Sequence, residues 1–235
     1  MCWRVCLGTI AAWRQHRHVQ LHRLWEPRPR LNRQPCRRRA LPLTEVVRLA
    51  VRAGWPYLIV DGVNIPTERI AAKFTAKQHW YSGKHNRHGA AVQTVAAPDG
   101  ELLWVSGVLP GKTTDITAAR RLGIAEKVLD FLGLLADLGY IGLHPEVIVG
   151  WKRTRGQKTL PAGKKTANRL IAALRAVGER ANAQLKHWWI LSHDFRGDPR
   201  RLTVVVKAVQ ALQYMIRDPF GRGINTDLLQ QTLRP

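Results

Sequence analysis

Acidic side chains are scarce in this chain. Its 235 residues hold 16 Asp and Glu against 38 Lys and Arg, a formal charge of +22 at pH 7 and a pI near 11.2. That deficit leaves a polyanion, nucleic acid before all others, as the default partner, because each phosphate neutralised releases counterions. A solvated basic surface, or a ribosome-like binder without chemistry, is the plainer reading of the same charge. Cysteine is scarce too. Cys2, Cys6 and Cys36 are odd in number and confined to the N-terminal segment. This argues against a disulfide framework and for a reducing compartment. Together with His16 and His18 they lack the paired short spacings of zinc modules. No apolar run is long enough to span a membrane. Val5 to Trp13 is a short apolar stretch with no clear cleavage site after it. The expectation is a cytoplasmic, nucleoid-associated protein with no membrane partner.

Residues 1–40 differ from the rest. They hold ten Arg, no Lys, three Trp and one acid, Glu26, with no sustained apolar period. Two readings stand side by side: an irregular or disordered basic arm that orders on nucleic acid, and a stretch never selected to fold. Neither contains the two-helix pattern of a helix-turn-helix. From Leu41 the pattern becomes orderly, and one domain is expected over 41–218 with a tail over 219–235. LTEVVRLAVRAG reads as a helix that starts at Thr44 and stops at Gly54. WPYLIVDG reads as a buried strand. HGAAVQTVAA and ELLWVSGVL form two strands about the turn PDG. TTDITAARRLGIAEKVLDFL reads as one capped helix, LGLLADLGY as an apolar strand ending in an acid, and EVIVGW as one more strand. Helices are expected from Thr166 to about Lys186 and from Pro199 to about Ile216. The order predicts an α/β fold, a mixed sheet flanked by helices.

Against so few acids, three carboxylates stand out. Asp61 and Asp137 each end an apolar, strand-like run, where a side chain projects beyond the packed core. Glu179 lies mid-helix in LRAVGERANAQLK. If the two strands are neighbours, their carboxylates converge, and a helix alongside brings Glu179. Three such oxygen donors suit one or two Mg²⁺ ions, and a two-ion site supports in-line displacement at phosphorus. Arg175, Glu179 and Lys186 are spaced to share one helix face. That row taken alone is more often a surface ion-pair row than a catalytic one, and the two aspartates reverse that balance.

At this point a resemblance emerges. Arg175-x₃-Glu179-x₆-Lys186 resembles the C-terminal signature of family-five insertion-sequence DDE transposases, and Asp137-Leu-Gly139-Tyr140 resembles their Asp-x-Gly-Tyr motif. VDGVNIP is similar to their first-aspartate segment. The run from Tyr81-Ser-Gly-Lys84 through the PDG hairpin to LPGKTTDITAAR is similar to the succession that follows it. The resemblance extends from about Val60 to Leu212. It implies an RNase H-like fold and cut-and-paste DNA transposition. It further implies a DDE triad of Asp61, Asp137 and Glu179 holding Mg²⁺ or Mn²⁺, with two ions expected. Arg175 and Lys186 would support Glu179 and contact phosphate, Tyr140 would pack beneath the site, and Gly139 would permit the turn. The implied partners are double-stranded DNA, as terminal inverted repeats and as target, and a second copy of the chain in a homodimer on DNA. The chain departs from the pattern at Ala172, where a tyrosine is usual, at Thr114, where a histidine is usual, and in the Arg/Trp-rich N-terminus. That last departure looks like a truncated or frame-shifted element copy. The alternative function is a catalytically inactive, DNA-binding remnant.

Other residues admit two readings. Asp115 either caps a helix or supports a metal. Tyr81, Lys84, His85, Arg87 and His88 form a loop suited to phosphate and base contacts, or simply a solvated one. Lys152, Arg153 and Arg155 lie in the stretch from Gly150 to Lys165, whose six Lys and Arg either track DNA or face water. Trp188 and Trp189 read as an apolar anchor before a base-stacking wedge.

Overall fold

The apolar run Leu58–Val60 forms the middle of the molecule. A computed structural model describes residues 40–68 and 80–217. The N-terminal arm (all but Ala40), its cysteines and histidines, and the 219–235 tail lie outside the described residues. Leu43–Arg52 is the first helix described (α1), entered from Pro42 at the N-cap position rather than from Thr44. It ends before Gly54, whose φ of 74° is a conformation that suits glycine. Tyr57–Pro66 then runs as one long strand (β1). Asp61 is therefore mid-strand. The expectation that it closes the strand is corrected: VNIP stays extended because Arg87–Ala96 (β3) pairs with it antiparallel, residue by residue from Ile59↔Ala96 to Pro66↔Gly89.

The opposite edge of β3 is shared by three short strands. Tyr81–Ser82 (β2), Leu109–Pro110 (β5) and Leu102–Val105 (β4) pair with its start, middle and end in turn. The expected strand ELLWVSGVL is thus two pieces, broken at Ser106-Gly107, where the Ser106 hydroxyl accepts from Gln93 N at 2.9 Å. The PDG turn forms as read, with Gly100 at φ 85°. On the far side of β1 lies Gly133–Leu135 (β6), parallel to it, with Tyr57↔Gly133 to Ile59↔Leu135 in register. EVIVGW is not a strand. A single parallel bridge, Leu135↔Ile148, is all it contributes, its ladder ended by the turn before it and the basic loop after it.

Helices cover both faces of this mixed sheet. The single helix expected after Thr114 is two, Asp115–Leu122 (α2) and Ile124–Leu129 (α3), because Gly123 turns left-handed at φ 60° between them. With α1 these close one core around Leu58, Val60, Val95 and Leu134. Ala162–Lys186 (α4), Trp189–Ser192 (α5) and Leu202–Arg217 (α6) close the other, around Ile59, Val63, Val92 and Leu135. A sequence rich in Ala, Leu, Arg and Lys with no internal proline accounts for the length of α4. Among the described residues no helix is long and apolar enough to cross a membrane.

Candidate active site

Side chains alternate along a strand, so Ile59, Asp61 and Val63 share the face of β1 that packs against α4–α6. Leu135 of β6 faces the same core, and Asp137, two residues on and still extended, continues that side. Ile59 and Leu135 are registered partners. Asp61 and Asp137 each sit two residues past them, Asp61 within β1 and Asp137 just beyond the end of β6. The two carboxylates feel each other. Burial, first of all, pushes the Asp61 carboxyl above the usual carboxylate range, and the negative charge of Asp137 adds to that. Opposing them are the Gly62 N–H, which donates to Asp61 Oδ1 at 2.9 Å, the Arg175 guanidinium, and Asn182.

Asn182 is a residue that the sequence reading missed. From α4 its Nδ2 donates to Asp61 Oδ2 at 2.7 Å, while its Oδ1 accepts from Thr94 Oγ1 at 2.8 Å. Thr94 pairs with Asp61 across the β1–β3 ladder and also donates to the Asp61 carbonyl at 3.2 Å. Thr94 thereby fixes which end of the Asn182 amide meets the carboxylate. An Asn in mid-helix is a weak sequence signal for this. The signal that was present is its position one turn beyond Glu179.

The helix approaches closely here. A Cβ on Gly178 would lie 3.0 Å from Ile59 Cγ2, so glycine lets α4 settle onto β1. At about 100° per residue, Asn182, Arg175, Lys186 and Glu179 fan out on one side of Gly178, at roughly 40°, 60°, 80° and 100°. Asn182 and Arg175 reach inward toward Asp61, and Arg175 Nε is buried with no hydrogen-bond partner. Glu179 and Lys186 stand further out, exposed. Among the described residues no three His, Cys, Asp or Glu side chains come together closely enough to hold a metal ion. The arrangement leaves Asp61 and Asp137 within electrostatic reach of each other and Glu179 on the exposed flank of the adjoining helix.

Asp137 spends one oxygen on backbone. Its Oδ1 accepts from Gly139 N at 2.8 Å and caps the short 3₁₀ turn Leu138–Tyr140. A Cβ on Gly139 would be 2.9 Å from that oxygen, so the glycine serves close approach rather than a special φ. Tyr140 is buried on the other face of the sheet, where its hydroxyl donates to Gln93 Oε1 at 2.6 Å. Burial, with Asp115, Asp61 and Asp137 nearby, holds that phenol strongly protonated.

Asp115 does not cap α2. Thr114 holds the N-cap position without a side-chain cap bond, and the Asp115 carboxylate turns away because a cation claims it. Its Oδ2 pairs with Lys84 Nζ at 2.9 Å, and its Oδ1 sits where a Cβ on Gly62 would be, 1.9 Å from that point. Lys84 rides on the hairpin turn between β2 and β3, where Asn86 adopts φ 51°. Its ammonium is held above its usual pKa, chiefly by the Asp115 hydrogen bond and then by Asp115, Asp137 and Asp61 charge. Arg87 starts β3 and is exposed, as are Lys152, Arg153 and Arg155 on the loop before α4. Trp188 packs at the core edge, as an anchor, while Trp189 is 72% exposed and stacks on His193.

Residues 60–213 match the family model described as DDE superfamily endonuclease, a span that opens at β1 and closes within α6. A provisionally assigned transposase for insertion sequence element IS112 from Streptomyces albus G is 33% identical over 135 residues, 57% of this chain and 49% of that protein. The probable transposase for insertion sequence element IS702 from Microchaete diplosiphon is 29% identical over 147 residues, 61% of this chain and 51% of its own length. The chain thus spans about half the length of these curated relatives. No solved structure matches it significantly. With two thirds of its residues inside one family match, the chain belongs to the DDE superfamily endonucleases.

Proposed function

We propose that residues 41–218 are the catalytic domain of a DNA transposase with an RNase H-like fold, which cuts and joins transposon ends by phosphoryl transfer. The observation that carries this is the matched placement of Asp61 within β1 and of Asp137 just past the end of its parallel neighbour β6, on the face that α4 covers with Arg175, Glu179 and Asn182. The strand arrangement supports the fold reading: an antiparallel run β4-β3-β1, then β6 parallel to β1, then the parallel Ile148 bridge.

The donor set is carboxylate oxygen throughout, the chemistry of Mg²⁺ or Mn²⁺ rather than zinc. Asp61 and Asp137 fit such an ion on the structure's own terms, since their mutual repulsion and the burial of Asp61 both call for a cation. Glu179 would complete the set, for one or two ions. When bound, the metal stabilises charge on the phosphoryl oxygens and activates the attacking oxygen. The chain's own groups do the rest. Asn182 and the Gly62 N–H orient Asp61 and favour its ionised form. Asp115 positions Lys84 beside the carboxylates, where its ammonium can take a backbone phosphate. Arg175, Lys186, Arg87 and the loop cations Lys152, Arg153 and Arg155 would hold the flanking duplex. Attack of water on phosphorus breaks the P–O3′ bond and leaves a 3′-hydroxyl, which then attacks a target phosphodiester, forming a new P–O bond as the target's own P–O3′ bond breaks and its 3′-oxygen leaves with the proton. The partners are terminal inverted repeats and target DNA, with two copies of the chain bringing two ends together on the nucleoid.

The test is cleavage of a labelled duplex carrying the element's terminal repeat, in Mg²⁺ or Mn²⁺, by the full chain and by Asp61→Asn and Glu179→Gln. Metal-dependent nicking by wild type, abolished in both variants, is the expected result. Salt-sensitive binding without nicking in any of the three would replace the enzyme by an inactive DNA-binding remnant.

A further inference from the structure

The cleft beside Asp137 is not accounted for by the carboxylates. It lies between the 151–161 loop and the start of α4, has a volume of about 840 Å³, and opens next to Leu138, the residue after Asp137. Its walls mix two chemistries. Trp151 and Leu138 contribute apolar surface and are 49% and 48% exposed, while Arg153, Lys158 and Lys165 contribute cations. No acidic residue lines it. Trp151 thus sets an aromatic π-face among the cleft's cations.

The loop is held in place. Asn168 of α4 clamps the Trp151 backbone at both ends, accepting from its N–H at 2.7 Å and donating to its carbonyl at 2.9 Å. Arg153 Nη1 donates to the Lys158 carbonyl at 3.1 Å, and Gln157 Oε1 accepts from Thr154. Lys164 Nζ stands 4.5 Å from the Trp151 ring centroid, over its face. The indole is therefore oriented by main-chain bonds and one cation, not by the hydrophobic core. Such an arrangement serves recognition better than folding.

A bare phosphate would use the cations and leave Trp151 and Leu138 without purpose. An intact duplex offers phosphates but no base faces. An unstacked nucleotide offers both, a π-face for the indole and phosphates for the loop. We propose that this cleft receives one unstacked nucleotide of the DNA strand adjoining the reacting phosphate, its base against Trp151 and its phosphates on the loop cations. The idea rests on the nucleic-acid reading above, and it adds that this enzyme distinguishes a frayed or unpaired strand end from closed duplex.

Two DNAs separate the possibilities: a blunt duplex, and the same duplex with a short single-stranded overhang carrying 2-aminopurine at successive positions. Wild type should bind the overhang more tightly by about tenfold, the order of one base–aromatic stack. At one position the 2-aminopurine emission should be quenched. In Trp151→Ala the preference and the quenching disappear while blunt-duplex affinity stays within about twofold, and Trp151→Phe should keep part of both. Because Trp151 is half exposed, neither variant removes core packing. Equal affinity of wild type for the two DNAs, or an equal loss on both in Trp151→Ala, overturns the proposal and leaves the cleft a purely electrostatic track. If wild type binds neither DNA, the nucleic-acid reading itself fails, a result distinguishable from the other two.

Discussion

The two faces of β1 treat charge in opposite ways. On one, Asp61 is partly buried, hydrogen-bonded through both oxygens, and flanked by the guanidinium of Arg175 and the carboxylate of Asp137. On the other, one residue along, Gly62 contributes no side chain, and the space is filled by Asp115 and by Gln93, whose amide oxygen accepts from Tyr140. The first face keeps a negative charge in a place that resists it. The second spends its negative charge on holding Lys84. The difference teaches that a site carboxylate needs both a partner set of its own and a neighbouring position left empty.

The comparison breaks most severely at Gly62. Gly62→Val puts a branched side chain where Asp115 Oδ1 now lies and close to Gln93 Nε2, 3.2 Å from the new Cβ. The Asp115 carboxylate must leave, and Lys84 with it. Overpacking of this kind should cost about 1–3 kcal/mol in denaturant unfolding, and affinity for duplex DNA should fall as Lys84 is released. Unchanged affinity would detach the Lys84–Asp115 pair from function.

A milder break is Tyr140→Phe. It leaves Gln93 Oε1 without its donor in a fully buried position, where Nε2 already has no hydrogen-bond partner. The expected loss is about 1–2 kcal/mol, since an unsatisfied buried amide is left behind. A thermal shift within error would show that the amide finds another partner.

The smallest effect sharpens the contrast. Because the folded state raises the Asp61 pKa, the fold holds a proton there more tightly than the unfolded chain does. Metal-free stability should therefore decline as pH rises from the unfolded value near 3.8 through the raised folded one. Asp61→Asn removes that decline. The variant should unfold at higher denaturant than wild type at neutral pH, and the two curves should converge in acid. Added Mg²⁺ should narrow the neutral-pH gap by stabilising wild type alone. A variant less stable than wild type at neutral pH would mean that the ionised carboxylate is a net stabiliser.

Much of this was legible in the sequence, for reasons that differ by element. β1, β3 and α4 announce themselves because apolar runs and helical spacing express burial directly. Asp61 and Asp137 stand out because an acid after such a run contradicts it. What escaped depended on partners distant in the chain. VNIP carries an Asn and a Pro, poor strand residues, and is extended only because β3 pairs with it. EVIVGW looks like a strand yet has a single registered partner. Asp115 looks like a cap until Lys84, 31 residues away, takes its oxygen. Asn182 is an ordinary helix residue until the fold sets it against Asp61, 121 residues earlier. The helix break at Gly123 was readable from the glycine but was outweighed by the periodicity on either side.

The segmented edge of β3 has a consequence of its own. β1 is held to β3 by eight registered pairs, whereas β2 is held by two and β5 by two. Each short strand can open without unzipping its neighbours. The cation on the Lys84 turn is thus mounted on the most easily loosened part of the sheet, and Asp61 on the most firmly anchored. A strand of DNA entering the site would meet an adjustable positive finger above an immovable negative floor, so that accommodation falls to the finger and alignment to the floor.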